Sequence, residues 1–429
     1  MKSAKSIRKR LKSCISAIDS RKSEFCINPE KDFTRNRKMT FKETISFILS
    51  LSSCSLPAEL RRYFQSESEM PSKSAFIQQR QKIAPQAFRA LFDEFNSSAK
   101  MKHSFRGFRL LACDGTDVNL PRNPADVVTS VHAKPNAKSY NTLHINALYD
   151  LMNNVYTDYT IDLGAAAYET AALACMAKRI QTPEKTILVA DRGYGYLTTI
   201  YRLSEIGTYF VLRCKDVHSN NFLASMAPPE EEFDLDISKI LTRSRKKEIR
   251  CNPMYMVVNG RNSLDFSDNK CYPVSFRACR FQLPSGEYEC LVTNLPRSRF
   301  SVSDLKQIYT LRWGIETSFR DLKYAIGLVY FHAKKLNSVL QEVHAALLML
   351  NFCSLVISSV PLKQKTTWKY EHKINFAAAV GCCRSFFSSG DTEILKSILR
   401  DQSVIRPNRH YDRNLHDTKP AKSLTYRVS

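Results

Sequence analysis

The sequence predicts an α/β protein in which helices pack on a mixed sheet. The first reason is an order of elements. From about residue 106, FRLLACD reads as a short strand ending in Asp114, followed by the hairpin LHINALYDL/VYTDYTIDL with Asn153–Asn154 at its turn. The helix ETAALACMAKRI, the strand TILVAD and the helix LTTIYRLSEI come next. The second reason is that TILVAD is apolar throughout up to Asp191, the mark of a strand covered on both faces. The third is composition: 43% hydrophobic and 10% aromatic residues in 429 can build real cores and exclude a disordered polyelectrolyte.

Before that block, residues 40–100 read as four short helices. They are TFKETISFILSLSS, LPAELRRYF, SKSAFIQQRQKI with Ser72 as cap, and PQAFRALFDEFNSSA with Pro85 in its first turn. Their Arg and Lys side chains suit either a DNA-binding helical module or a plain bundle with solvated charges. Residues 1–42 carry a net charge of +9, which suits an arm on phosphates or a solvated amphipathic helix. Residues 207–296 are strand-like runs joined by polar loops, a β-rich insertion closed by Leu295–Pro296. The chain is helical again from 303, and residues 361–429 form a basic helical tail of net charge +7. The expected division is therefore 1–105, a split core of 106–206 and 297–360, the insertion 207–296, and the tail 361–429.

Charge indicates the partner. A net +23 and an isoelectric point near 9.5 point to a polyanion, nucleic acid before an anionic membrane. The most apolar stretch, Val343 to Val360, is interrupted by His344 and Asn351 and reads as a buried helix, so no membrane partner is expected. The N-terminus has no apolar signal segment, and thirteen scattered cysteines without a C-x-x-C suit free thiols in a reducing cytoplasm.

The strongest local pattern is SVSDLKQIYTLRWGIETSFRDLKYAIG, read as one helix from a Ser301 or Ser303 cap to Gly327. At 100° per residue, Leu305, Ile308, Ile315, Phe319, Leu322 and Ile326 form one buried stripe, and Tyr309, Arg312, Glu316 and Lys323 line its edge. An i,i+4 ion pair of Arg312 with Glu316 would explain two of the four. It does not explain why all four stack beside a core, where charge is costly unless paired or bound. Trp313 could stack on a base, but a packed core tryptophan fits its position better. Asp114 and Asp191 each end a strand before a glycine-containing turn. If the two strands are neighbours, their carboxylates converge, and a third from a helix would complete an all-oxygen site for Mg²⁺ or Mn²⁺.

These residues resemble those of a known group. Tyr309, Arg312, Glu316 and Lys323 match Y-x2-R-x3-E-x6-K, the YREK signature of the bacterial insertion-sequence-four-type DDE transposases. LLACDGTDVNLP and ILVADRGYGY are similar to the segments that carry that family's first and second Asp, and LHINALYDLMNNVYTDYTI to the hairpin between them. The resemblance covers roughly residues 72–360 and implies a ribonuclease H-like core interrupted by a β-rich insertion. By motif position, Asp114, Asp191 and Glu316 would be the metal-binding catalytic triad for two Mg²⁺ (or Mn²⁺) ions. Tyr309, Arg312 and Lys323 would contact DNA phosphates, and Asp117 and Asp162 would be structural.

The activity implied is cleavage of transposon ends and joining of 3′-ends to target DNA, with double-stranded DNA and a homodimeric synaptic complex as partners. The location implied is cytoplasmic, on the nucleoid. A catalytically silent or domesticated DNA-binding derivative, or a structure-specific nuclease on the same fold, are the competing readings.

Overall fold

The computed structural model describes residues 2–35, 37–97, 103–132, 138–164, 168–258, 266–267 and 270–405. The final 24 residues of the basic tail lie outside them. Five helices come first: α1 (Lys2–Ser20), α2 (Phe41–Ser50), α3 (Leu56–Tyr63), α4 (Lys73–Arg80) and α5 (Gln86–Ser97). The last four coincide with the short helices read from the sequence. Thr40 and Ser72 cap α2 and α4 by accepting from the backbone N–H three residues on, as their positions before an amphipathic run require. In α1, Ala4, Leu11, Ile15 and Ile18 are fully buried at helical spacing, so its inner stripe is part of a core; Lys2, Lys5 and Lys9 are exposed, while Arg8, Arg10 and Lys12 pack against Phe387 and Phe95 at its edge.

The sheet is built from β1 (Arg109–Leu120), β2 (Ser130–Val131), β3 (Tyr140–Asp150), β4 (Val155–Leu163), β5 (Thr186–Ala190), β6 (Tyr209–Cys214), β7 (Phe233–Thr242), β8 (Tyr255–Val257), β9 (Cys271–Gln282) and β10 (Tyr288–Thr293). The spatial order is β2-β3-β1-β5-β6-β10-β9-β7-β8, with β4 paired to β3. β1, β5 and β6 run parallel, as crossovers through α6 (Glu169–Ala177) and α7 (Leu197–Ile206) demand, and the other pairs are antiparallel apart from the short parallel pair β7–β8. The protein is thus α/β with one large mixed sheet. The strands between 207 and 296 continue that sheet edge to edge through β6 and β10, with a single helical turn, α8 (Lys247–Arg250), beside β8.

One expectation is corrected. The strand containing Asp114 does not stop there but runs on to Leu120, because β3 pairs with it as far as Leu120↔Asn141. What ends at Cys113↔Ala190 is only its pairing with β5.

After the sheet come α9 (Val302–Leu311), α10 (Trp313–Arg320), a π-helical turn (Asp321–Ala325), α11 (Leu336–Ser358) and α12 (Phe376–Ser389). The single helix expected over 301–327 is therefore three segments. The first segment tightens at its end, at Arg312, whose N–H bonds the Tyr309 carbonyl three residues back, and the last widens into the π turn.

α11 is the apolar helix of the sequence, and it is buried at the centre of the largest core with α1, α2, α5 and α12. Its two polar interruptions are satisfied by β4. Asn351 accepts from Tyr156 N (2.7 Å) and donates to Tyr156 O (2.7 Å), and His344 Nδ1 lies 2.7 Å from the Tyr159 hydroxyl. All thirteen cysteines are free.

Candidate active site

The parallel register sets Cys113 beside Ala190, so Asp114 and Asp191 are the next residues on adjacent strands. Local sequence holds each carboxylate. Gly115 N–H donates to Asp114 Oδ1 (2.9 Å) and Gly193 N–H to Asp191 Oδ1 (2.7 Å). Asp114 is half-buried beneath α10. Burial pushes its carboxyl up to about 6, and the negative charges of Asp191 and Glu316 add to this against the Gly115 N–H and Arg312. Asp114 on β1 therefore feels the charge of both other acids read from the sequence, Asp191 just after β5 and Glu316 on α10.

α9 is set over this edge by a capping box between Ser301 and Asp304, and Asp304 also takes a two-pronged bond from Arg106 (2.6 and 3.0 Å), just ahead of β1. The tight turn at its end delivers Arg312 into the interior at 4% exposure. Arg312 Nη2 donates to Glu316 Oε1 (2.9 Å), and Nη1 stands 4.0 Å from Asp114 Oδ2. Its guanidinium carbon lies 5.4 Å from the Tyr309 ring centre and 5.1 Å from that of Trp313. Trp313 is 52% exposed, so the core position expected for it is wrong. Eight residues after Leu305, Trp313 falls at about 80° on the wheel, outside the apolar stripe, and it is exposed there.

Arg312 Nε and the Tyr309 hydroxyl are buried without a well-formed hydrogen bond among the described residues, the hydroxyl facing the Arg213 side chain. Lys323 sits on the π turn; burial lowers its pKa, and the carboxylate that raises it is that of Asp117.

Several neighbours are not marked by any motif. Arg213 on β6 lies 3.5 Å from Glu289 on β10, beside Tyr309, and burial pushes the Glu289 carboxyl up although Arg213, Arg312 and Lys306 oppose this. Under Gly115, on the opposite face of the sheet, His144 is held between Asp117 (2.8 Å) and Glu169 (3.5 Å) at the start of α6. Burial disfavours its charge, but the two carboxylates outweigh this and push it up to about 9. The alternation Asp117–Gly115 against His144–Asn146 was the one sequence signal available for this group, and it has meaning only once the register of β1 on β3 is known.

Gly115 itself is dictated by close approach. A Cβ there would lie 2.3 Å from His144 Nε2 and 2.9 Å from Glu169 Oε1. Gly115→Ala is expected to lower stability by about 1–3 kcal/mol through overpacking, seen as a fall in melting temperature. His144→Ala in the same chain should recover part of the loss, and equal losses in the single and double variants would refute the contact.

Chemically, the arrangement sets the carboxylates of Asp114 and Asp191 at the ends of paired strand segments, with Glu316 and the Arg312 guanidinium beside Asp114. Among the described residues, no three carboxylate, imidazole or thiol side chains stand assembled as a metal-binding cluster; Glu316 is engaged by Arg312.

Comparison with known proteins places this geometry in context. Residues 106–352 match the family described as the transposase DDE domain. The chain is similar to a putative transposase for insertion sequence element IS4SA from Synechocystis sp. (strain ATCC 27184 / PCC 6803 / Kazusa), 29% identical over 193 residues, which is 44% of this chain and 45% of that protein. The chain thus aligns with less than half the length of that relative. Among solved structures, a piggyBac transposase synaptic complex with hairpin DNA aligns at 11% identity and a TM-score of 0.42, covering 93% of this chain and 79% of the other. Because the family match spans more than half of the 429 residues, from the loop before β1 into α11, the chain belongs to the transposase DDE domain family.

Proposed function

We propose that this transposase binds the terminal inverted repeats of its own insertion sequence, cleaves the ends and joins the 3′-ends to target DNA. We assign it to the insertion-sequence-four type through the YREK residues, on a ribonuclease H-like core. The observation that carries the reading is the adjacency of Asp114 and Asp191 on parallel strands, with Glu316 close enough for its charge to act on Asp114.

The residues fit divalent cations. The donors are all carboxylate oxygens, suited to Mg²⁺ or Mn²⁺ over zinc, and burial, with the charges of Asp191 and Glu316 adding to it, holds the Asp114 carboxyl at about 6. DDE transposase domains generally use such metals, and a pair bound by Asp114, Asp191 and Glu316 would activate water or a 3′-hydroxyl and stabilise the leaving oxygen. The protein's own contribution is positioning. Arg312 orients Glu316 through Nη2 and keeps Nε for a phosphate oxygen, and the unsatisfied Tyr309 hydroxyl offers a second donor beside it. Lys323 adds a point charge farther along β1, towards Asp117. The net +23 supplies sequence-independent attraction to the duplex, and pairing of two ends implies a homodimer on DNA.

The test is metal removal on a labelled duplex carrying a terminal repeat. Cleavage is expected with Mg²⁺ or Mn²⁺ and none with EDTA, while the gel shift of the same duplex persists in both. A shift without cleavage under any metal would favour a silent DNA-binding derivative. Cutting of branched junctions with no dependence on the repeat would favour a structure-specific nuclease.

A further inference from the structure

A cavity of about 400 Å³ opens on the α7 side of the sheet, between the turn after Asp191 and the exit of β6. Arg192, Tyr196, Thr198, Lys215 and Phe222 are among its walls. It is separate from the Tyr309–Arg312 side of the sheet, yet Arg192 directly follows a proposed catalytic acid.

Three features make it a site for an anion with a flat group attached. First, the ten-residue helix α7 begins here with Tyr196 as N-cap, no side-chain cap and no acidic residue in its first turn. Its first N–H groups and the positive end of its dipole are left for a ligand. Second, Thr198 in that first turn is 4% exposed, lines the cavity, and its hydroxyl has no hydrogen-bond partner among the described residues. A buried hydroxyl is costly to leave unpaired, and a phosphate oxygen would satisfy it. Third, Arg192 and Lys215 add positive charge at the rim, while Tyr196 (46% exposed) and Phe222 add aromatic surface.

The turn can approach β6 this closely because residue 195 is glycine. A Cβ there would lie 2.5 Å from the Arg213 carbonyl oxygen and 3.0 Å from Cys214 Sγ.

We infer that this cavity binds one nucleotide of a single-stranded DNA segment running past Asp191, with its phosphate at the α7 N-terminus and Thr198 and its base on Tyr196. The inference rests on the proposed action on DNA, but not on cleavage.

It is tested by anisotropy of a labelled thymidine octamer on the full chain, in EDTA so that nothing is cut. Tyr196→Ala should weaken the octamer by about 5–100-fold, the range for loss of one stacked base. The near-isosteric Thr198→Val, which keeps the buried shape, should weaken it by about 5–10-fold and abolish competition by inorganic phosphate. An octamer of abasic units should bind weakly and be indifferent to Tyr196→Ala.

Wild-type affinity in both variants would overturn the pocket, as would an equal effect of Tyr196→Ala on abasic and normal octamers. If wild type fails to cut repeat ends with Mg²⁺ but the octamer results hold, the cleavage reading falls and the pocket stands. If it cuts and neither variant changes octamer binding, the pocket alone falls.

Discussion

Asp191→Ala and Asp114→Ala are expected each to reduce Mg²⁺-dependent cleavage of a labelled repeat end by at least about 10³-fold, with end binding retained. Each replacement removes one of the two carboxylates that sit side by side where β1 and β5 part. Neighbouring charge would then be too weak to hold a dication, and the several kcal/mol of transition-state stabilisation it supplies would go with it. Glu316→Ala should behave likewise, and it should also free Arg312 from its 2.9 Å bond. Binding survives because it depends on the basic surface, and removing an acid from that field cannot weaken attraction to phosphates. Cleavage at a normal rate by any of the three variants would sink the site assignment.

Arg80→Ala should be the most destabilising single change among the buried charges, at about 3–5 kcal/mol. Arg80 is 2% exposed on α4, and its guanidinium reaches Glu342 Oε1 (2.7 Å), Gln341 Oε1 (3.2 Å) and the Ser338 carbonyl (2.8 Å), all on α11. Gln341 returns two bonds, to the carbonyls of Arg80 (2.8 Å) and Ile83 (2.6 Å), and the other Glu342 oxygen accepts from His332 N–H (2.8 Å). This network joins the N-terminal helices to the helix at the centre of the core. Truncating Arg80 leaves a buried carboxylate without its cation.

The pH dependence follows from the sign of the Glu342 shift. Burial raises this carboxyl, but Arg80 and His332 outweigh it and bring it to about 2. A depressed carboxyl stabilises the fold above its unfolded value of about 4.5, and that contribution is lost as pH falls from there towards 2. Urea midpoints should therefore separate wild type from Arg80→Ala widely at pH 7 and less below pH 4, where Glu342 of the variant is neutral. A gap independent of pH would show that lost packing, not the ion pair, sets the cost. Pairing Arg80→Met with Glu342→Leu should recover much of the stability by removing both charges together.

Much of this was legible in the sequence because it depends on short-range periodicity. TILVA is buried at every position, as an uninterrupted apolar run predicts, and the Asn153–Asn154 turn closes the β3–β4 hairpin with Asn154 in the left-handed region. The amphipathic spacing over 302–326 correctly grouped Tyr309, Arg312 and Glu316 beside the core.

Where the wheel failed, it failed by assuming one constant pitch. The tight turn at Arg312 and the π turn at Asp321–Ala325 break the segment into three, and Lys323 on the π turn comes under the charge of Asp117. Asp114 looked like a strand end because Gly115 follows it. Yet that glycine serves the packing of His144 and Glu169 beneath it, not a turn.

By itself the sequence determined which residue types were available and at what local spacing: two acids each following a buried apolar run, a Tyr-Arg-Glu-Lys edge, caps, hairpin and charge. Tertiary structure alone decided that β1 and β5 are neighbours in a register that sets Asp114 beside Asp191. It also decided that the strands after residue 207 extend the same sheet, and that His144, Glu169, Arg213 and Glu289 stand around the site. The reason is physical. Helix and strand periodicity is a property of neighbours within a few residues along the chain. Strand adjacency and charge burial are instead settled by non-local packing, where one residue of register moves every side chain to the opposite face.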